Sequence, residues 1–240
     1  MIICFTGIDG SGKTVQAEKL VERLNAAGHP AVYAWTGGRS YITRPLIWLA
    51  KRLLRAPKLA SSGTATEPKG APDKGAQYRS YLSSTRRLFK NKLVANIWRQ
   101  ISLIEHTGEI LVSVVPHVLR GRIVVCDRYI HDSTIGMAVL AGVDASALPR
   151  LLRLPALYPI PRPAQWFLID VPADVAFHRR DDVVDVAFLE QRIPLYHAAA
   201  QTLGMDVIDG TPTPDHIADV IWERVKPLLR AVPKAALRKS

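Results

Sequence analysis

Cysteine occurs only at positions 4 and 126 of the 240 residues, each time inside a short apolar run. Such thiols read as small buried hydrophobes of a reducing compartment rather than as a metal site or a disulfide framework. Long hydrophobic runs are absent too. No stretch approaches the ~18 apolar residues that a membrane span needs. The amino terminus opens directly on a strand-like run, without the basic leader and cleavage site of a secretory signal, so the expected location is cytoplasmic. Acids are in short supply, 21 against 32 Lys and Arg, for a net charge of +11. Most of that excess sits between Lys51 and Lys92, where eleven basic residues face only Glu67 and Asp73. The high pI therefore describes an insertion rather than the fold. Such a segment is either a basic arm for nucleotide phosphates, nucleic acid or an anionic surface, or a solvated loop. Aromatics are few, 7% of the chain, and are not interleaved with these charges as a base-stacking platform requires, which favours the loop over nucleic-acid binding.

What is present is concentrated near the amino terminus. Gly7-Ile8-Asp9-Gly10-Ser11-Gly12-Lys13-Thr14 fits the phosphate-loop pattern G-x-x-x-x-G-K-[ST] at every fixed position. Met1–Thr6 before it has the length and β-branched content of a buried strand. After it, Ala17, Leu20, Val21 and Leu24 recur on one helical face, which Gly28 and Pro30 would stop. Gly7, Gly10 and Gly12 let successive amides, Ser11 among them, turn inward on an anion, and the helix dipole adds to the same spot. Lys13 would reach the β- and γ-phosphates, with the Thr14 hydroxyl on Mg²⁺. A nucleoside triphosphate, ATP, is the expected ligand.

Further strands are expected at Ala31–Trp35, Ile123–Cys126, Trp166–Ile169 and Asp206–Ile208, the third and fourth nearly continuous in apolar residues, as parallel strands covered on both faces are. A helix is expected from about Arg44 to Leu54, and from Tyr78 to Leu119 either two helices or one long bent one, with Pro116 near its end and Gly121 as its stop. Thr213-Pro214-Asp215 has the cap, proline and acid of a helix start, with Ile217, Val220, Ile221 and Val225 as its buried stripe. Residues 56–77, rich in Pro, Gly, Ser, Ala and Thr, bury too little to offset their ordering entropy and are expected to be flexible. Beyond Pro227 the basic chain is expected to fray. Strands alternating with helices imply an α/β fold: a doubly wound five-stranded parallel sheet flanked by helices, of the P-loop NTPase kind, with its site at the carboxyl ends of the strands. The expected organisation is a single domain over residues 1–230, with the basic insertion at 56–77, a lid at 176–192 and a basic tail at 231–240.

Asp127-Arg128-Tyr129 closes the third strand. A carboxylate there can hold Mg²⁺ directly or through water, and the adjacent guanidinium offers a planar fork for a second phosphate group; the plainer reading is an ion pair at a strand end. The variable positions of the phosphate loop carry no arginine, so the cations that neutralise a migrating phosphoryl group must come from elsewhere. Arg179, Arg180 and Arg192 are the candidates, unless they belong to a charged helix face with i, i+4 pairing.

Taken together, Phe5–Thr14, Gly121–Tyr129, Arg179-Arg180, Phe188-Leu189-Glu190-Gln191-Arg192 and Tyr196 resemble the thymidylate kinase family. Pro116–Gly121 and Val207–Gly210 are similar to that family as well. The resemblance implies that Asp9 holds the sugar hydroxyl of the acceptor, Arg128 the acceptor phosphate, and Arg179 or Arg180 the donor adenine or the transferring phosphate. It also implies that the first and third strands are neighbours, which sets Cys4 beside Cys126, and that a homodimer forms through helices flanking the sheet. The likeness is uneven. The family's Arg-Glu-Pro run before its paired glycines is here Ala34-Trp35-Thr36, ahead of Gly37-Gly38. Its Asp-Arg pair in the long helix falls on Glu105-His106, and Arg39 or Arg99 would have to stand in for the arginine. Its base-reading Tyr-Gln falls on Gly136-Met137, and only Asp132-Ser133 keeps part of the preceding pattern. The expected activity is transfer of the γ-phosphoryl of ATP·Mg²⁺ to a nucleoside monophosphate, dTMP, without a membrane partner. Two alternatives remain at this point: a kinase of the same fold with another acceptor, and a non-catalytic nucleotide-binding regulator.

Overall fold

The first apolar run forms β1 (Ile2–Thr6), buried along its whole length at the centre of a five-stranded parallel sheet. The computed structural model describes residues 1–37, 92–153, 160–180 and 185–230. Within them α1 (Lys13–Ala26) returns the chain to β2 (Ala31–Trp35), and α2 (Lys92–Ser113) and α3 (Val115–Leu119) lead into β3 (Ile123–Asp127). Then come α4 (Ile130–Ala141), α5 (Leu148–Leu152), β4 (Gln165–Asp170), α6 (Ala173–His178), α7 (Val186–Glu190), α8 (Ile193–Leu203), β5 (Asp206–Asp209) and α9 (Pro214–Leu229). The strand order is β2-β3-β1-β4-β5. Chain direction reverses its lateral progress at β1, so the crevice at the switch point opens above the phosphate loop.

Alternate residues of each strand feed opposite layers, as the two-residue period requires. Ile3, Phe5, Val125, Phe167 and Ile169 pack against Leu20 and Leu24 of α1 and Ile217, Ile221 and Val225 of α9. Ile2, Cys4, Val124 and Cys126 face Leu103 and Ile110 of α2 and Ile130 of α4. A third cluster, including Ile8, Ile135, Ala138, Leu168, Ala176, Leu189 and Leu195, ties α4 through α8 to the strand ends. Cys4 and Cys126 are direct partners in the β1–β3 register, and both thiols are buried and free. Burial pushes the Cys4 thiol well up.

Of the two arrangements expected before β3, the two-helix one holds among the described residues, and two other local expectations change. The helix before β3 breaks at Val114, so Pro116 lies in the first turn of a separate helix α3, where its missing N–H deprives no carbonyl. Gly121, at φ 74°, then stops α3 as expected. At the other end α9 does not fray at Pro227 but continues to Leu229, which is 8% exposed and extends the buried row of Ile221 and Val225. Periodicity assigns nothing between Tyr129 and β4, yet α4 lies there. Its buried positions, Ile130, Asp132, Thr134, Ile135, Ala138 and Val139, wrap around the helix and leave no amphipathic stripe to detect. Thr213 caps α9 by accepting from the His216 N–H, as its sequence position predicts. The expected helix at 44–54, the segment 56–77, Gly38, Arg39 and the tail at 231–240 lie outside the described residues. Among the described residues no helix is long and apolar enough to cross a membrane.

Candidate active site

The turn between β1 and α1 is held by backbone contacts that leave no room for side chains. A Cβ on Gly7 would lie 2.6 Å from the Ile169 carbonyl oxygen, and one on Gly10 would lie 2.1 Å from the Ala176 carbonyl oxygen. Gly10 also has φ 86°, in the left-handed region. The loop is thereby seated on β4 and on α6 at once. Gly10→Ala combines left-handed strain with a backbone overlap, for which about 3 kcal/mol of lost stability is expected. For a chain of this size that is a fall of roughly 6–12 °C in Tm, accompanied by weaker ATP binding. Thermal melts and calorimetric titration check it, and an unchanged melt would contradict it.

Helix α1 begins at Gly12, in the left-handed conformation and without a side-chain cap. Its first intrahelical bond runs from Gln16 N–H to the Gly12 carbonyl at 3.1 Å, so the amides before it have no helical partner. The buried Ser11 hydroxyl likewise makes no hydrogen bond. Lys13 is 4% exposed; its Nζ donates to the Ile8 carbonyl at 3.0 Å and lies 3.9 Å from Asp9. Burial, with the nearby Arg128 charge adding to it, pulls the Lys13 ammonium down to about 8. An ammonium short of negative charge beside uncapped amides is suited to a polyanion.

Across the loop, the Thr14 hydroxyl donates to Asp127 Oδ2 at 2.5 Å, and the Tyr33 hydroxyl donates to the same oxygen at 3.0 Å. Asp127 is 2% exposed and its Oδ1 has no hydrogen-bond partner. A hydroxyl beside a buried carboxylate oxygen with no donor is an oxygen set that fits a hard divalent cation. No group of three or more His, Cys, Asp or Glu gathers among the described residues.

Arg128 follows Asp127 and is the one non-glycine with positive φ, 72°, among the described residues. That backbone turns its side chain back over the loop. Its Nη2 is bonded to Asp9 Oδ1, and its Nη1 lies 3.7 Å from Asp132 Oδ1. Although burial alone would push the Asp9 carboxyl up, Arg128, Lys13, Arg192 and Arg180 hold it below the usual carboxylate range. Burial opposes the Arg128 charge, but Asp9 leads the groups that keep the guanidinium firmly protonated.

The three arginines beyond β4 divide. Arg180 and Arg192 bear electrostatically on Asp9. Arg179 instead donates to the Gly210 and Thr211 carbonyls at 2.8 and 3.3 Å, past the end of β5. Arg192 is braced on its own turn: it donates to the Phe188 carbonyl at 3.0 Å and lies 3.6 Å above the Phe188 ring. His106 bridges α2 to α4, with Nε2 2.6 Å from the Ser133 hydroxyl and Nδ1 3.6 Å from Glu109. Arg99 bonds Asn96 at 2.5 Å, and its Nε makes no hydrogen bond. Neither His106 nor Arg99 makes a hydrogen bond or ion pair with Arg128 or Asp9. Sequence reasoning misses Tyr33 on Asp127 and Thr6 on Asp132, because only the β2-β3-β1 order brings those strand residues to the same edge.

No family model matches the chain. It is 27% identical over 241 residues to a thymidylate kinase of Thermomicrobium roseum, covering 95% of both chains. It is 25% identical over 246 residues to one from Solidesulfovibrio magneticus, spanning 95% of this chain and 100% of that one. A third, from Symbiobacterium thermophilum, is 22% identical over 244 residues, with 100% and 95% covered. Each of these alignments covers at least 95% of both chains. Over nearly its whole length the chain is similar to thymidylate kinases, and it is an ATP-dependent phosphotransferase.

Proposed function

We propose that the protein transfers the γ-phosphoryl group of ATP to dTMP, giving dTDP. The observation that carries this reading is Arg128, a guanidinium outside the phosphate loop that is aimed at Asp9, between the loop and the crevice. A simple ATPase has no use for a second anion grip. A kinase for a phosphorylated acceptor does. In this reading the loop amides and Lys13 hold the triphosphate, and Thr14 and Asp127 would hold Mg²⁺, which neutralises charge on the β- and γ-oxygens when bound. Arg128 holds the acceptor phosphate and Asp9 its sugar hydroxyl. Arg180 and Arg192 supply positive charge near the transfer, while Arg179 is anchored beyond β5, on the donor side. Little covalent work is asked of the side chains; positioning and charge neutralisation supply the rate.

A different acceptor is the second reading, and Gly136 favours it. Among the described residues a Cβ at that position would meet nothing within 4 Å, where the family's base-reading side chains would otherwise stand. ADP release measured over a panel of nucleoside monophosphates decides. Turnover highest with dTMP is expected. Turnover only with other acceptors would replace dTMP, and nucleotide binding without any acceptor-stimulated release would remove the transferase reading altogether.

A further inference from the structure

The most heavily bonded carboxylate near the site is neither the cation candidate Asp127 nor the loop residue Asp9. Asp132 Oδ1 accepts from the Thr6 hydroxyl at 2.7 Å and from the Tyr196 hydroxyl at 3.1 Å, and Oδ2 accepts from the Tyr129 N–H at 2.9 Å. Its side chain is 5% exposed, and Arg128 Nη1 is 3.7 Å away. Three elements therefore fix one carboxylate: β1 through Thr6, the start of α4 through Tyr129, and α8 through Tyr196. Nothing in the mechanism above uses it.

We propose that Asp132 is the positioning residue for Arg128, holding one arm of the guanidinium while the other is free to exchange Asp9 for the acceptor's phosphate. The inference rests on the acceptor role proposed for Arg128. The two carboxylates at that guanidinium differ in kind. Asp9 is 29% exposed in its side chain and sits on a loop, so an incoming anion can displace it. Asp132 is walled in by hydroxyl and amide donors, and no anion can reach its place. Without a fixed partner, an arginine with left-handed backbone on a strand end would have many rotamers to lose on binding. Burial pushes the Asp132 carboxyl up, and Arg128 is foremost among the groups pulling it down. Tyr196 extends the link to α8, whose N-cap is Arg192, a residue whose charge bears on Asp9.

Steady-state kinetics with ATP and the acceptor preferred by the wild type, on Asp132→Asn and Tyr196→Phe, test this. Asp132→Asn retains the shape but not the charge; the acceptor KM is expected to rise at least tenfold with the ATP KM within twofold. Tyr196→Phe removes one hydroxyl from the carboxylate, and an acceptor KM about threefold higher is expected, again without change for ATP. A merely structural residue would lower Tm and kcat and leave both KM values alone; that result overturns the proposal. Should Asp132→Asn fail to fold, Tyr196→Phe decides by the same split. A wild type with no acceptor turnover at all would instead overturn the transferase reading, so the two failures are distinct.

Discussion

Lys13→Met is expected to lower phosphoryl transfer by about 10³-fold at saturating substrates, on the order of 4 kcal/mol of transition-state stabilisation. The reason is the absence of competing cations inside the loop. Lys13 is the buried ammonium there, while Arg128 is engaged with Asp9. The same burial makes the lysine titrate within reach of ordinary buffers, near 8 rather than 10.5. The sign follows from linkage. Between those values the unfolded chain holds the proton more firmly than the folded one, so stability of the nucleotide-free protein rises with pH across that window. A bound polyphosphate reverses the preference, because it restores the charge that burial disfavours. Nucleotide binding is thus expected to take up a proton near pH 8, and ATP affinity to weaken as pH rises above it. Lys13→Met abolishes both effects and should melt no lower than wild type in the absence of nucleotide. Calorimetric titration in buffers of different ionisation enthalpy reads the proton directly. Equal heats in all buffers, or an undiminished kcat in the variant, would contradict the role.

Arg128→Met is expected to reduce acceptor kcat/KM by about 10³-fold while ATP affinity changes by only a few fold. It should also destabilise the protein, which Lys13→Met should not. Removing the guanidinium leaves Asp9 without its main partner and strands Asp132 among neutral donors, the situation in which breaking a buried pair costs about 3 kcal/mol. Melting temperature should fall by roughly 6–12 °C for a chain of this length. Asp132 already has its carboxyl raised by burial. A raised carboxyl favours the fold when protonated, so the variant should recover part of its stability as pH falls toward the ordinary carboxylate value. Melts at pH 7 and pH 5 compare the two conditions. A variant that loses acceptor turnover without this pH-dependent deficit would separate Arg128 from Asp132 and remove the basis for their coupling.

Much of the architecture was legible residue by residue. The five strands, the phosphate loop and both of its flanking elements follow from short apolar runs and from G-x-x-x-x-G-K-T, since a strand buried on both faces and a glycine turn leave local signatures. β2 spans Ala31–Trp35 as expected, and α9 starts at its threonine cap. Short or uniformly apolar helices were not legible: α5, α6 and α7 have five or six residues, too few for a period, and α4 has buried positions on most sides. The candidate site divides in the same way. Lys13, Thr14, Asp127 and Arg128 stand beside sequence-local motifs that name them. Tyr33 carries no such mark, and nothing local ties Thr6 or Tyr196 to Asp132.

By itself, the order of residues determined that this chain has an anion-binding turn, a sheet to mount it on, and a guanidinium to set opposite. Only the tertiary structure decided what those charges do to one another. Asp127 meets Tyr33 and Thr14 because β2, β3 and β1 lie side by side. Asp132 receives Thr6 from 126 residues away and Tyr196 from 64 away, across two layers. Hydrogen bonds and ion pairs act over a few ångströms in space, whatever the separation along the chain, so periodicity and local propensity leave no trace of them.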